Sequence, residues 1–345
     1  MKRISIFLCL LISLSVSAET EAFRKAIKQA YTTGSAEAQY KVAMMYVKGE
    51  DVSPNLAERM YWLILAANQD HPEAMEMLAE VYMNGVRSSD GKFVYFPCPA
   101  AARSIYRDLK RYDKLAILYA GWNDKEGAAL YAEKDCETNP AKYYFLARIY
   151  DDDPVEEKLP KNLQNWIDAL TEVLPEDKAK ALECYTKFLA KVPEDQEETA
   201  RKIAEKYLKG EGTIPNPVTA KLYFNKAGRD GMYLEAFIFG LGGNACTQNP
   251  YVGKHMVEAD VQYLRPFTVA RDAKTALAAI DKVIAMDQGN SDRLADDYKL
   301  KGLIYAAQGN EYDALRMYAK VLDINNQYFK KRKNDPLHKT LFSLH

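Results

Sequence analysis

Ser89 and Lys92 have the Ser-x-x-Lys spacing of a serine nucleophile and its lysine in penicillin-interacting serine enzymes. That chemistry needs the serine at the start of a helix, so that the lysine lies one turn away, together with a Lys-Thr-Gly strand. Gly91 instead places the motif in a loop, and Lys-Thr-Gly does not occur in the sequence. The sequence therefore favours a chance match and predicts a protein that is not an enzyme.

Metal or cofactor chemistry is not predicted either. The four histidines are scattered, with no pair at the spacing of a helical metal site, and no P-loop, His-Glu-x-x-His or EF-hand motif is present. Asp151, Asp152 and Asp153 resemble a cation site, but Pro154 follows them directly, which favours solvated acids at the end of a helix. The basic run 329–333 is interpreted in the same way, as a solvated helix end.

Acidic residues offer a more specific chemistry. Glu73, Glu76 and Glu80 have i, i+3, i+7 spacing, which places them on one face if this segment is a helix. Three carboxylates on one face attract a basic peptide segment, although a merely solvated helix face is the alternative. Which of the two applies depends on the elements that carry these residues.

Those elements repeat. A small-apolar step followed three residues later by Tyr occurs five times, and Gly follows the Tyr by three at 49, 85 and 210, where a helix should end. The five steps are Val42-Ala43 with Tyr46, Leu78-Ala79 with Tyr82, Leu115-Ala116 with Tyr119, Leu146-Ala147 with Tyr150, and Ile203-Ala204 with Tyr207.

Each step is followed by a second predicted helix that carries Ala and an aromatic residue. In such a pair Ala lets two helices approach closely, and an aromatic side chain one turn away fills the wider gap. The chain has 24 tyrosines, an unusually high count, and this packing explains most of the excess. The predicted sets are Ala57 with Tyr61 and Trp62, Ala102 with Tyr106, Ala181 with Tyr185, and Ala220 with Phe224.

These motifs resemble a known family. Gly34 to Ala67, continuing through His71-Pro72-Glu73-Ala74 to Gly85, is similar to a Sel-one-like repeat, the longer relative of the tetratricopeptide repeat, and so is Ala204 to Gly228. Gly302, Tyr305, Gly309, Ala314 and Tyr318 resemble an ordinary tetratricopeptide unit. The resemblance implies an all-α fold, a right-handed α/α solenoid of about eight antiparallel helix pairs.

The resemblance also implies which residues line a groove. In tetratricopeptide packing the first helix of each pair forms the concave face, which predicts a set of candidate binding residues. They are Glu37, Tyr40, Met44, Val47, Glu73, Glu76, Glu80, Met83, Tyr144, Arg148, Arg201 and Glu205.

The predicted organisation has four parts. Residues 1–18 form a signal peptide, 19–241 a Sel-one-like array that is clearest at 34–86 and 200–240, 242–268 a junction, and 269–345 a tetratricopeptide-like unit. The segment from Val86 to Pro99 is too long for a repeat turn and is predicted to be an ordered loop.

The N-terminus predicts export. Lys2 and Arg3 precede a short apolar run, and Val16-Ser17-Ala18 is a small-residue cleavage site, so we expect a periplasmic or secreted protein cut near Ala18. The net charge of −1 argues against a nucleic-acid partner. The mature chain keeps Cys98, Cys136, Cys184 and Cys246, for which disulfides and buried thiols are equally favoured.

The family resemblance implies protein binding. The leading hypothesis is a periplasmic adaptor or scaffold that holds a peptide segment of an envelope partner in its groove. The alternatives are an exopolysaccharide-secretion scaffold that binds glycan or export machinery, and a penicillin-interacting hydrolase. The sequence does not identify the partner, the pathway or the oligomeric state.

Overall fold

The protein is a set of antiparallel helices in a computed structural model. The structure describes residues 19–49, 51–87, 90–155, 158–192, 196–242, 267 and 269–333, with backbone alone for 328–333. Sixteen helices and one two-stranded hairpin occur in these described residues. The all-α fold class is confirmed.

The helices are α1 Glu21–Thr33, α2 Ala36–Lys48, α3 Leu56–Ala67, α4 Pro72–Asn84, α5 Pro99–Asp108, α6 Tyr112–Gly121, α7 Lys125–Thr138, α8 Lys142–Asp151, α9 Lys161–Thr171, α10 Lys178–Lys191, α11 Gln196–Lys209, α12 Pro217–Lys226, α13 Gly228–Leu241, α14 Ala273–Met286, α15 Ser291–Ala307 and α16 Glu311–Lys333. The strands are β1 Val86–Arg87 and β2 Phe93–Tyr95. They pair antiparallel, so the predicted ordered loop between α4 and α5 contains a short hairpin.

Local sequence sets where helices end and begin. Gly49 and Gly210 follow α2 and α11 with φ of 69° and 77°, a left-handed conformation that Gly adopts without a steric cost. Six residues after each Gly, an Asn caps the next helix. Asn55 Oδ1 accepts bonds from two backbone N–H groups of α3, and Asn216 Oδ1 accepts one from Thr219.

Fourteen of these helices form seven pairs, each with a first and a second helix, and α1 and α9 stand outside the pairs. The pairs are α2/α3, α4/α5, α6/α7, α8/α10, α11/α12, α13/α14 and α15/α16.

One backbone hydrogen bond recurs in six of the seven pairs. The carbonyl of the motif aromatic residue in the first helix accepts from the N–H of the residue just before the second helix, which joins the two helices whatever lies between them. The six bonds are Cys98 to Tyr82 (2.6 Å), Asp124 to Tyr119 (3.0 Å), Asp177 to Tyr150 (2.8 Å), Asn216 to Tyr207 (2.7 Å), Asp272 to Phe239 (2.9 Å) and Asn310 to Tyr305 (3.0 Å).

The same six pairs place an alanine four residues after that donor. Each of these alanines is completely buried, as expected for the point of closest helix approach. They are Ala102, Ala128, Ala181, Ala220, Ala276 and Ala314.

The pair α2/α3 is the exception, and here the sequence prediction is wrong. Ala57 and Tyr61, predicted to pack in the pair, are exposed, whereas Trp62 is buried as expected. Four residues after Asn55 stands Arg59 instead of Ala. Arg59 thus takes the place of the buried alanine, while Leu63, eight residues after Asn55, is fully buried like Phe224, eight residues after Asn216.

The described chain divides into two compact units. Of the described residues, unit 1 comprises those in 19–138 and 159–174, and unit 2 those in 139–158 and 175–333. In unit 1, the core of α1 to α4 includes Phe23, Tyr46 and Trp62, and α9 packs against α6. In unit 2, α11 to α15 share one core.

Residues 242–268 occupy an unexpected place. Apart from Gly242 and Phe267 this segment lies outside the described residues, but the helices on either side of it, α13 and α14, form one pair. The predicted junction thus falls within a helix pair. Residues 1–18, predicted as a signal peptide, lie outside the described residues.

Candidate functional site

The residues considered for catalysis and metal binding do not form such a site where they are described. Lys92 Nζ lies 3.2 Å from Asp90 Oδ2 in an exposed ion pair, and Ser89 lies outside the described residues. Within the described chain, no group of three or more His, Cys, Asp or Glu side chains could hold a metal ion.

Two of the three acids at the end of α8, Asp151 and Asp153, belong to an ion-pair network rather than to a solvated run. Asp151 accepts from Lys206, a largely buried side chain of α11, and lies 3.2 Å from Lys178 Nζ of α10. Asp153 lies 2.7 Å from Lys202 Nζ. Burial would raise the pKa of Asp153, but Lys202 and Arg148 outweigh it and lower that pKa. The network joins α8, α10 and α11, which corrects the interpretation as solvated acids for Asp151 and Asp153, whereas Asp152 is exposed.

Among the residues predicted for the groove in unit 2, Arg148 is buried, with 8% of its surface exposed. Its Nε lies 3.3 Å from Asp153 Oδ2, and its Nη2 donates to the carbonyl of Pro154. Tyr144 contacts the rings of Tyr185 and Phe188. Arg148 therefore belongs to the ion-pair network, and we leave it out of the candidate surface.

Arg201 and Glu205 pair with each other at 3.2 Å, one turn apart on α11. The pair is partly buried, with the two side chains 38% and 16% exposed, and Glu205 also lies 3.8 Å from Lys209 Nζ.

Unit 1 brings three of the predicted residues together around a histidine. His71, just before α4, lies with Nε2 3.1 Å from Glu37 Oε2 and Nδ1 3.2 Å from Glu73 Oε2. Its ring centroid is 4.5 Å from that of Tyr40, with the planes tilted by 31°. The Glu37 and Glu73 side chains are 84% and 66% exposed, so both carboxylates remain open to a ligand. We call Glu37, Tyr40, His71 and Glu73 the acidic-aromatic surface.

His71 has a structural role as well. Its Nδ1 accepts a bond from the N–H of Ala74 at 3.4 Å and so caps α4, while Pro72 occupies the first helical position. The other ring nitrogen, Nε2, faces the Glu37 carboxylate. The cap therefore fixes the orientation of the ring that Tyr40 stacks on.

The next two acids of the predicted stripe differ from Glu73. Glu76 accepts from Arg111, which also pairs with Asp113 at 3.0 Å. The hydrogen bond to Asp113 raises the pKa of Arg111, so its charge is retained. The pKa of Tyr106 is raised to about 12, mainly by burial of its hydroxyl group and next by the negative charge of Glu80. Glu76 is thus neutralised locally.

Met44 and Met83 are half-buried. Met83 packs against the core formed by α4, α5 and α6. These two side chains therefore contribute to packing as well as to the surface.

The cysteines occupy different surroundings. Cys98 is exposed before α5, whereas Cys136 and Cys184 are buried in α7 and α10. Cys246 lies outside the described residues. The predicted choice between disulfides and buried thiols stays open.

Sequence reasoning missed His71 and Arg111. His71 lies 34 residues after Glu37, and Arg111 lies 35 residues after Glu76. These separations are close to one repeat length, so each side chain contacts an acid of the preceding repeat. The available signal for His71 was its position just before Pro72-Glu73 at a helix start.

The pairs, their recurring bond and the buried alanines define this chain as an all-α solenoid repeat protein. It contains segments that match the Sel1 repeat family, at residues 36–71, 72–91, 171–190 and 198–232. The match to 171–190, which covers most of α10, lies in the middle segment where the sequence departs from the pattern.

Two solved structures are similar to this chain. A protective antigen present in uropathogenic Escherichia coli strains, displaying an SLR fold, has 17% identity, with 86% of this chain and 71% of that chain covered and a TM-score of 0.31. A Sel1 repeat protein from Oxalobacter formigenes has 16% identity, with 94% and 80% covered and a TM-score of 0.36. No curated protein gives a significant match.

Proposed function

We propose that this protein is an exported binding adaptor whose acidic-aromatic surface holds a basic peptide segment of a protein partner in the cell envelope or outside the cell. The observation that carries this proposal is the pair of exposed carboxylates, Glu37 and Glu73, on either side of a histidine that stacks with Tyr40. The Sel1 repeats support a protein-binding scaffold in general terms.

The geometry suits an arginine or lysine side chain. Carboxylates that accept hydrogen bonds from a guanidinium group form strong, directional pairs. The face of an aromatic ring adds a cation–π contact to the same ligand. Because helix α2 carries Glu37 and Tyr40 and helix α4 carries Glu73, the backbone already positions these groups before a ligand arrives.

Export is supported by the sequence of residues 1–18, which combines a basic start, a short apolar run and a small-residue cleavage site. In the part of the chain that the structure describes, no helix has both the length and the apolar character that a membrane crossing requires. We therefore place the partner in the periplasm or outside the cell.

The test is a crosslinking pull-down from an envelope fraction with purified protein as bait. The variant Glu37→Gln with Glu73→Gln removes both exposed charges. The matched control, Glu21→Gln with Glu137→Gln, removes two exposed acids from α1 and α7. We expect a captured protein to be lost with the first variant and kept with the control. A captured protein that both variants retain equally, or a captured glycan, contradicts the proposal.

A further inference from the structure

The last described helix, α16, has an exposed apolar stripe. Tyr312, Leu315, Ala319 and Leu322 follow i, i+3, i+7, i+10 spacing, and all four are exposed, Leu315 and Leu322 at 63% each. At 1.5 Å per residue the stripe is about 15 Å long. Helix α16 itself spans 23 residues, against 10 to 14 for the other second helices.

The same two repeat positions are buried in one earlier second helix, α10. Leu315 and Leu322 stand five and twelve residues after Asn310, the residue whose N–H joins α16 to α15. The corresponding residues of α10, counted from Asp177, are Leu182 and Leu189, each only 7% exposed. A further first helix packs against α10 and α14, namely α11 and α15. The stripe on α16 is therefore a helix-packing seam that the described chain leaves uncovered.

Charges beside the seam are self-complementary. Arg316 and Asp323 lie on the same flank of the stripe, seven residues apart, and both are exposed, with Arg316 Nη1 also 3.2 Å from Asp313 Oδ1 of its own helix. When two copies of a helix pack antiparallel about a two-fold axis, the same flank of each copy meets. With the axis between positions 319 and 320, Arg316 of one copy lies opposite the second copy's Asp323, and the reverse pair forms by symmetry.

We propose that α16 is a homodimer interface, in which two copies of this chain pack their stripes antiparallel. Ala319 lies near the axis and allows close approach, Leu315 and Leu322 fill the seam on either side of it, and two symmetric Arg316–Asp323 pairs set the register. Such a short seam falls in the small class of interfaces, so we expect a dissociation constant of roughly 1–100 μM.

Analytical ultracentrifugation of purified protein from 1 to 300 μM tests this proposal. We expect a concentration-dependent monomer–dimer equilibrium. The variant Leu315→Glu with Leu322→Glu should raise the dissociation constant by at least about 30-fold. The matched control is Leu222→Glu on α12. Leu222 is 62% exposed and lies outside the stripe, so this substitution should leave the dissociation constant unchanged. Far-UV circular dichroism checks that each variant is folded.

A charge swap tests the register. Arg316→Asp should weaken the dimer by about 3- to 10-fold, and adding Asp323→Arg should return it to within about twofold of the original protein. A protein that stays monomeric to 300 μM overturns the proposal. So does a dimer that the Leu315 and Leu322 variant leaves intact, or one that Leu222→Glu weakens equally. A dimer that the charge swap does not restore overturns the antiparallel register.

Discussion

The backbone N–H of Asn216 donates a 2.7 Å hydrogen bond to the carbonyl oxygen of Tyr207, so the start of α12 is tied to α11 at the motif tyrosine. The equivalent bond joins residues 5 positions apart at Tyr305 and Asn310, and residues 33 positions apart at Phe239 and Asp272. The helix pair is therefore kept while the connection varies. Insertions at this point are tolerated because loop closure costs little more as a loop grows.

The alanine four residues after this donor should tolerate no larger side chain. Ala220→Leu would force three carbon atoms into a fully packed contact between α11 and α12, and should lower the free energy of unfolding by about 1–3 kcal/mol. The exposed Ala57→Leu of α3 is the control and should change it by less than about 0.5 kcal/mol. Urea denaturation followed by circular dichroism measures both, and an equal loss in the two variants would contradict the packing role.

The helix pairs were predictable where their motif is complete. The small-apolar step with Tyr located α2, α4, α6, α8 and α11, because the same contact selects the same residue types. The pair α13/α14 escaped notice because Phe239 replaces Tyr and a long insertion separates its helices. The register of α3 was misread because Ala57 and Tyr61 copy the motif at positions that face solvent.

The buried cation of the network in unit 2 should matter more than an exposed one. Lys206→Met removes the charge that faces Asp151 and leaves that acid with Lys178, so we expect a loss of about 2 kcal/mol or more in unfolding free energy. Lys187→Met on α10 breaks an exposed pair with Glu183 and should cost about 0.5 kcal/mol or less. If urea denaturation gives equal losses of unfolding free energy for the two variants, burial does not determine how much these ion pairs contribute to stability.

Glu235 should make stability depend on pH. Burial raises the pKa of this α13 carboxyl to about 7, although Lys221 and Lys282 oppose the shift. The folded state therefore holds the proton more tightly than the unfolded state, and stability falls as the pH rises from about 4.5 to 7.

Glu235→Gln removes this titration and can still accept the hydrogen bond from Asn225. We expect the variant to be more stable than the original protein at pH 8, by at most about 3 kcal/mol, with the difference vanishing near pH 4. Thermal unfolding at the two pH values measures it. A variant that is less stable at pH 8 would contradict the burial argument.

The candidate surface was predictable in part. The pattern identified Glu37, Tyr40 and Glu73 because residues of first helices share one face. It could not show that Arg111 neutralises Glu76, since that contact joins residues 35 positions apart. Nor could it show that Asp153 pairs with the buried Arg148, because the left-handed turn at Asp152 that brings the two together is not marked by a glycine.

The ring of Tyr40 should contribute to binding through its face rather than its hydroxyl. Tyr40→Phe keeps the stack on His71, and we expect it to keep the partner captured by the pull-down. Tyr40→Ala removes the ring and should weaken capture by about tenfold. Quantitative binding of the captured partner to each purified variant is the measurement, and equal weakening by both variants would assign the effect to the hydroxyl group.

Site-specific photocrosslinking tests the central claim most directly. A photoreactive phenylalanine analogue replaces Tyr40 in one variant and Tyr61, an exposed aromatic residue of the same unit outside the acidic-aromatic surface, in the other. After irradiation in intact cells, the account predicts a crosslinked protein partner from position 40, lost when Glu37→Gln and Glu73→Gln are added, and none from position 61. The same crosslinked product from both positions, or none from position 40, would contradict it.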